Sequence, residues 1–201
     1  MKVLVITGGI GSGKSYACKY LHENYGWPVY EADSRVKRLY SEHKTLLSEI
    51  EVLLGRCFRD AERRFSPQLL ASVIFDDPDA LRKVESLVFP ALSEDFEEWK
   101  KLHADKEVVI LESATILEKP ELSGMGDLIL LIDAPVDVRL SRAVCRDGVS
   151  VEQVRSRMTH QTMMNEISEG NLQPCVDRVI INADSPEIFM QKLKEFAENI
   201  V

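Results

Sequence analysis

Apolar residues in this chain fall in short unbroken runs, not in strict polar/apolar alternation. Five runs stand out: "KVLVIT" (2–7), "PVYEA" (28–32), "EVVILE" (107–112), "DLILLID" (127–133) and "RVIIN" (178–182). Short runs rich in Val and Ile predict strands buried on both faces, as in a parallel sheet. The segments between them carry helical spacing, which predicts an α/β fold with right-handed crossovers. Several helix starts have a mechanism. Ser66-Pro67, Asp77-Pro78 and Ser185-Pro186 each set an N-cap residue before a proline at the first helical position. Ser150 followed by Gln153 is a capping box. In the last helix Ile188, Phe189, Leu193, Phe196, Ala197 and Ile200 fall on one face.

The strands are unevenly spaced. Roughly 75 residues separate the second from the third, far more than a simple crossover needs. The expected organisation is a core of 1–33 and 106–201, interrupted by a helical insert over 34–105 at the carboxyl end of the second strand, where α/β sheets bind ligands. A second helical excursion spans about 140–177.

Composition narrows the class. With 45% hydrophobic residues among 201, the chain can bury one substantial core. A net charge of -8 argues against electrostatic binding of nucleic acid. No apolar run approaches the ~18 residues of a membrane span, and "MKVLVITGG" reads as a buried strand instead of a signal peptide. Cys18, Cys57, Cys145 and Cys175 are scattered without a C-x-x-C pair, so neither a zinc site nor a disulfide framework is expected. The expectation is a cytoplasmic protein, monomeric or a weak homo-oligomer, with small-molecule partners and neither nucleic acid nor membrane.

The chemistry concentrates where the first strand ends. "TGGIGSGKS" (7–15) contains Gly8-x-x-x-x-Gly13-Lys14-Ser15, the full Walker A pattern. Glycines let the backbone curl so that the N–H groups of Gly9, Ile10, Gly11, Ser12 and Gly13 can surround phosphate oxygens, and the following helix aims its positive end at the same place. Lys14 can reach the outer phosphates and Ser15 can place its hydroxyl on Mg²⁺. A bound nucleotide, with Mg²⁺ beside it, is the expectation. The pattern alone leaves kinases, GTPases and motor ATPases open. No N-K-x-D stretch of the kind GTPases use occurs.

Three further places carry candidate chemistry. Asp33, closing the run "VYEAD", can accept a proton from a substrate hydroxyl or serve as a helix N-cap. Glu112, closing "VVILE", can organise a magnesium water shell or stand as a solvated strand-end carboxylate. Arg139, Arg142 and Arg146, three and four apart, share a helical face. They form either a solvated face or a lid that stabilises the transferring phosphoryl group and excludes water.

These pieces together resemble the dephospho-coenzyme A kinase family over nearly the whole chain. The family's opening "TGGIGSGKS" is matched letter for letter at 7–15, its "AD" pair at Ala32-Asp33, and its insert phrase by "FDDPDALRKVESLVFPAL" (75–92). Arg142 and Arg146 in "RAVCRD", Gln161, and "VDRVIIN" (176–182) match the rest. The resemblance implies a three-layer P-loop fold with a central five-stranded parallel sheet, a helical substrate-binding insert and a helical lid. It implies ATP-dependent phosphorylation of the ribose 3′-hydroxyl of dephospho-coenzyme A, with Asp33 as base, the insert holding the acceptor, and the backbone near Asn182 facing the adenine. The sequence departs from the family's usual pattern at Phe89, where His is common, over 64–69, at Arg139, where Gln is usual, after Gln161, where "TMMNE" lacks a basic residue, and after Asn182. A kinase for another nucleoside or nucleotide, or a nucleotide-binding regulatory module, is the alternative reading.

Overall fold

The computed structural model describes residues 1–119, 122, 124–159, 161 and 176–200. Cα proximity divides the chain into two compact units, Met1–Glu31 with His103–Val201, and Ala32–Leu102.

The first unit is built on five parallel strands in the order β2-β3-β1-β4-β5. They are β1 (Lys2–Thr7), β2 (Val29–Glu31), β3 (Val108–Glu112), β4 (Leu128–Asp133) and β5 (Arg178–Ile181). β1 fills its expected run, and the other four lie within theirs, trimmed by one residue at one or both ends. The period-two pleat sorts their side chains. Leu4 and Ile6, Val108 and Ile110, and Leu130 and Ile132 share a core with α1 (Lys14–Tyr25) and α8 (Pro186–Glu198), through Ala17, Cys18 and Leu21 on one helix and Phe189, Leu193, Phe196 and Ala197 on the other. Leu131 belongs to a separate cluster with Val176. Burial on both faces holds for β1 and β3, whereas β5 buries only Ile180 and exposes Val179 and Ile181. As the edge strand it has a neighbour on one side only. Ile188, expected on the buried face of α8, is exposed, because it lies about 100° around the helix from Phe189.

After β4 come α6 (Val136–Asp147) and α7 (Val151–Thr159). The capping box forms: Ser150 N–H donates to Gln153 Oε1 at 3.0 Å and Gln153 N–H to Ser150 Oγ at 3.3 Å. Leu140 and Ala143 of α6 pack with Val154 and Met158 of α7, and Ile10 joins them from the loop after β1. The segment 162–175, including Cys175, "TMMNE" and the rest of the expected lid, lies outside the described residues.

The second unit holds α2 (Ala32–Glu42), α3 (Leu46–Leu54), α4 (Pro67–Ile74) and α5 (Pro78–Leu102). α5 buries Ala80, Val84, Val88, Ala91, Leu92 and Phe96, an i, i+4 stripe, and α2, α3 and α4 each pack on it. Asp77 caps α5, its Oδ1 accepting from the N–H groups of Asp79 and Ala80 at 2.9 and 3.1 Å. Ser66 and Ser185 occupy N-cap positions without a side-chain capping bond. Within this unit Tyr40 stacks on Phe65 with ring centroids 4.6 Å apart, and burial pushes its phenol up to about 12. Arg35 donates to both oxygens of Asp95, through Nε at 2.6 Å and through Nη2.

Candidate nucleotide site

Between β1 and α1 the chain reverses through glycines in conformations that L side chains rarely adopt: Gly8 at φ 149°, Gly11 at 76° and Gly13 at 108°. Neighbours also forbid a side chain at these positions. A Cβ at Gly8 would meet Ile132 O at 2.0 Å, and one at Gly13 would meet Asn182 Nδ2 at 2.3 Å. Ser12 N–H closes the turn on Gly9 O at 3.1 Å. Gly13 is the left-handed residue before α1, whose first turn holds no acidic side chain. A helix N-terminus so prepared suits an anion, because nothing negative competes with it.

Lys14 Nζ lies across this loop, donating to Gly8 O at 2.8 Å and to Gly9 O at 3.4 Å. The sequence pattern identified its reach toward phosphate but not these bonds. Ser15 is exposed in the first turn of α1. Glu112 ends β3, in register with Ile6 of β1 and with Glu31 of β2. Burial, and after it the negative charge of Glu112, push the Cys18 thiol up, while Lys14 pulls it back. Glu112 and Lys14 therefore both act on the first turns of α1. That is where a magnesium ion beside a nucleotide would be served, by one hydroxyl and one carboxylate with water completing the shell. Among the described residues no cluster of three or more His, Cys, Asp or Glu could hold a metal by itself.

Asn182 follows β5 and ties three elements together. Its N–H donates to Asp133 O at 2.7 Å, and its Nδ2 donates to Ser12 O at 2.8 Å. It accepts from Arg142, Nη1 to its carbonyl at 3.1 Å and Nη2 to its Oδ1 at 3.4 Å. Gln161 Oε1 accepts the Ile10 N–H at 2.9 Å, a second side-chain strut on the loop.

The three arginines of α6 share one row of the helix, as their spacing predicts, but have different surroundings. Arg139 is buried against the loop, and Arg142 is half-buried on Asn182. Arg146 is exposed and donates to Asp147, which also accepts from Arg157 at 2.6 Å. The helix presents a row of residues, but the loop packs on one end of that row and solvent covers the other. The Asp147 carboxyl is lowered to about 2 by those bonds, that from Arg146 first.

Asp33 is also placed differently from the expectation. β2 stops at Glu31 and α2 starts at Ala32, so Asp33 is an exposed residue in the first turn of α2, neither the strand's last residue nor its helix's N-cap. Sequence reasoning missed Asp133. The signal was available, since Asp133 closes an apolar strand just as Glu112 does. Buried side-chain atoms without a hydrogen-bond partner include Thr7 Oγ1, Ser12 Oγ, Asp133 Oδ1 and Arg139 Nε, all on or beside the loop. Unsatisfied buried polar atoms are uncommon in native folds, and their concentration marks a site.

A parallel sheet that gives its first crossover to a phosphate loop, with strand order β2-β3-β1-β4-β5, is the frame of the P-loop kinases. TT1252 from Thermus thermophilus shares it at a TM-score of 0.81 and 27% identity, over 100% of this chain and 98% of that one. Dephospho-CoA kinase from Campylobacter jejuni shares the fold at a TM-score of 0.68 and 19% identity, over 98% of this chain and 96% of that one. The family model for dephospho-CoA kinase matches residues 2–185. The dephospho-CoA kinase of Porphyromonas gingivalis (strain ATCC BAA-308 / W83) is 30% identical over 200 residues, 100% of this chain and 95% of its own. The chain belongs to the dephospho-CoA kinase family. No helix among the described residues is long and apolar enough to cross a membrane.

Proposed function

We propose that the protein transfers the γ-phosphoryl group of ATP to the ribose 3′-hydroxyl of dephospho-coenzyme A. The observation that carries this reading is the phosphate loop, "TGGIGSGKS" with its left-handed glycines, inside a chain that the dephospho-CoA kinase family model matches over residues 2–185. The hydroxyl oxygen attacks the γ-phosphorus in line, the bond to the β–γ bridging oxygen breaks, and ADP leaves. The hydroxyl proton passes to Asp33, which the chain places just beyond the carboxyl end of β2. The amides from Gly9 to Ser15 hold the phosphates. Lys14 exchanges its carbonyl partners for phosphate oxygens, and its charge balances what develops on the transferring group. Ser15 and Glu112 would hold Mg²⁺, which when bound supplies charge neutralisation at the phosphates. Arg142 orders the segment at Asn182 that faces the adenine, and the exposed Arg146 closes on the phosphoryl group by leaving Asp147.

The test is to incubate the protein with ATP, Mg²⁺ and a panel of acceptors, following ADP. Stoichiometric ADP and coenzyme A from dephospho-coenzyme A, with a Lys14→Ala variant inactive, supports the reading. ADP formed faster with another nucleoside or nucleotide, or with no acceptor at all, overturns it.

A further inference from the structure

Arg139 has the largest fully buried side chain among the described residues, with 1% of its surface exposed. One loop glycine makes room for that side chain and a second for the Arg139 backbone. A Cβ at Gly11 would lie 2.2 Å from Arg139 O and 2.9 Å from its Cα, and a Cβ at Gly9 would lie 2.0 Å from its Nη1. The guanidinium thus packs on the loop at Gly9, and the Arg139 backbone packs on it at Gly11. Its charge is poorly matched there. Nε has no hydrogen-bond partner, and the Asp133 carboxylate stands 3.9 Å from Nη1, with its Oδ1 likewise making no hydrogen bond. The Gln161 carbonyl oxygen, 3.6 Å from the same Gly9 Cβ position, adds only a dipole. A guanidinium does not lose its proton in a protein, so the positive charge stays. A buried ion with imperfect partners destabilises the fold unless something else compensates it.

We propose that Arg139 is an electrostatic part of the phosphate site, its charge only partly neutralised by Asp133 and completed by the phosphates that the same loop binds. The proposal rests on the reading of the loop as an ATP site and adds a residue that does not touch the nucleotide. It predicts opposite signs for two quantities. Replacing the charge should leave the nucleotide-free protein as stable or more stable, and should weaken nucleotide binding. A purely structural arginine would lower both.

The experiment compares the full chain with Arg139→Gln, Arg139→Lys and Asp133→Asn. ATP and ADP affinities are measured calorimetrically, melting temperature without nucleotide, and KM for ATP against kcat. One unit charge within about 10 Å of the phosphates, at an effective dielectric near 20, changes affinity by on the order of tenfold. The expected result for Arg139→Gln is a Kd for ATP raised by about that factor, a smaller rise for ADP, a raised KM with kcat nearly unchanged, and an unliganded melting temperature equal or higher. Arg139→Lys should keep most of the parent's affinity. Asp133→Asn, which strips the counter-charge, should bind ATP more tightly while melting lower without it, and it carries the test if Arg139→Gln fails to fold. An Arg139→Gln Kd within twofold of the parent's, an Arg139→Lys as weak as Arg139→Gln, or an Asp133→Asn that does not bind more tightly overturns the proposal. A parent protein that binds no ATP overturns the reading beneath it instead, and is recognised before any variant is made.

Discussion

Asn182 and Gly13 should behave as one energetic unit, and a double-mutant cycle can measure it. Asn182 is 7% exposed, and its Nδ2 donates to Ser12 O at 2.8 Å while its Oδ1 accepts from Arg142 Nη2 at 3.4 Å. Truncation to Ala leaves a buried carbonyl without its donor, a cost of about 1–3 kcal/mol. For a chain of this size that lowers the melting temperature by roughly 2–4 °C per kcal/mol. Gly13→Ala fails for two reasons. Its φ of 108° strains any side chain, and the new Cβ would sit 2.3 Å from the same Nδ2, so the Asn182 bond to Ser12 must break. Both single variants therefore lose one shared hydrogen bond, and the double variant loses it once. The double variant should be less destabilised than the sum of the singles by about 1–3 kcal/mol, while the backbone strain at position 13 remains. Urea unfolding of the four proteins yields the coupling. Additivity to within about 0.5 kcal/mol, the behaviour of independent sites, would refute the argument.

Asp33→Asn should lower turnover of dephospho-coenzyme A by about 10²–10⁴-fold while ATP affinity and melting temperature hold; turnover within a fewfold of the parent removes Asp33 from the mechanism. Arg142→Ala should lower both stability and turnover, since it unties Asn182, whereas Arg146→Ala should lower turnover with little change in melting; the reverse pattern contradicts their surroundings. Asp147 is held down to about 2 by Arg146 and then Arg157, so its contribution to stability is complete above its unfolded value near ~3.9 and is lost as pH falls through about 2. The acid-unfolding curve of Asp147→Asn should accordingly run below the parent's at neutral pH and converge on it toward pH 2, and a gap that persists at the lowest pH would contradict the assignment.

Much of this architecture is written locally. Short apolar runs placed all five strands to within two residues, sharply where burial on both faces leaves no polar position to blur the ends, as in β1 and β3. The phosphate loop was legible for a similar reason. Left-handed φ values at Gly8, Gly11 and Gly13 are a requirement that few residue types meet, so the requirement appears as letters. Other features depend on which distant segment covers a residue, and spacing along one helix carries no such information. Arg139, Arg142 and Arg146 are equivalent on a helical wheel, yet the loop after β1 buries the first, Asn182 of the β5 end engages the second, and Asp147 engages the third. Gly9 shows how the two kinds of information meet. It is not held at positive φ, so local conformation does not explain it, but a Cβ there would lie 2.0 Å from the Arg139 guanidinium, 130 positions on, which no local signal announces. A glycine can thus be boxed in by a distant side chain as well as by its own φ, and substituting Arg139 should remove that one contact at position 9 while leaving the conformational demand at Gly8, Gly11 and Gly13 in force.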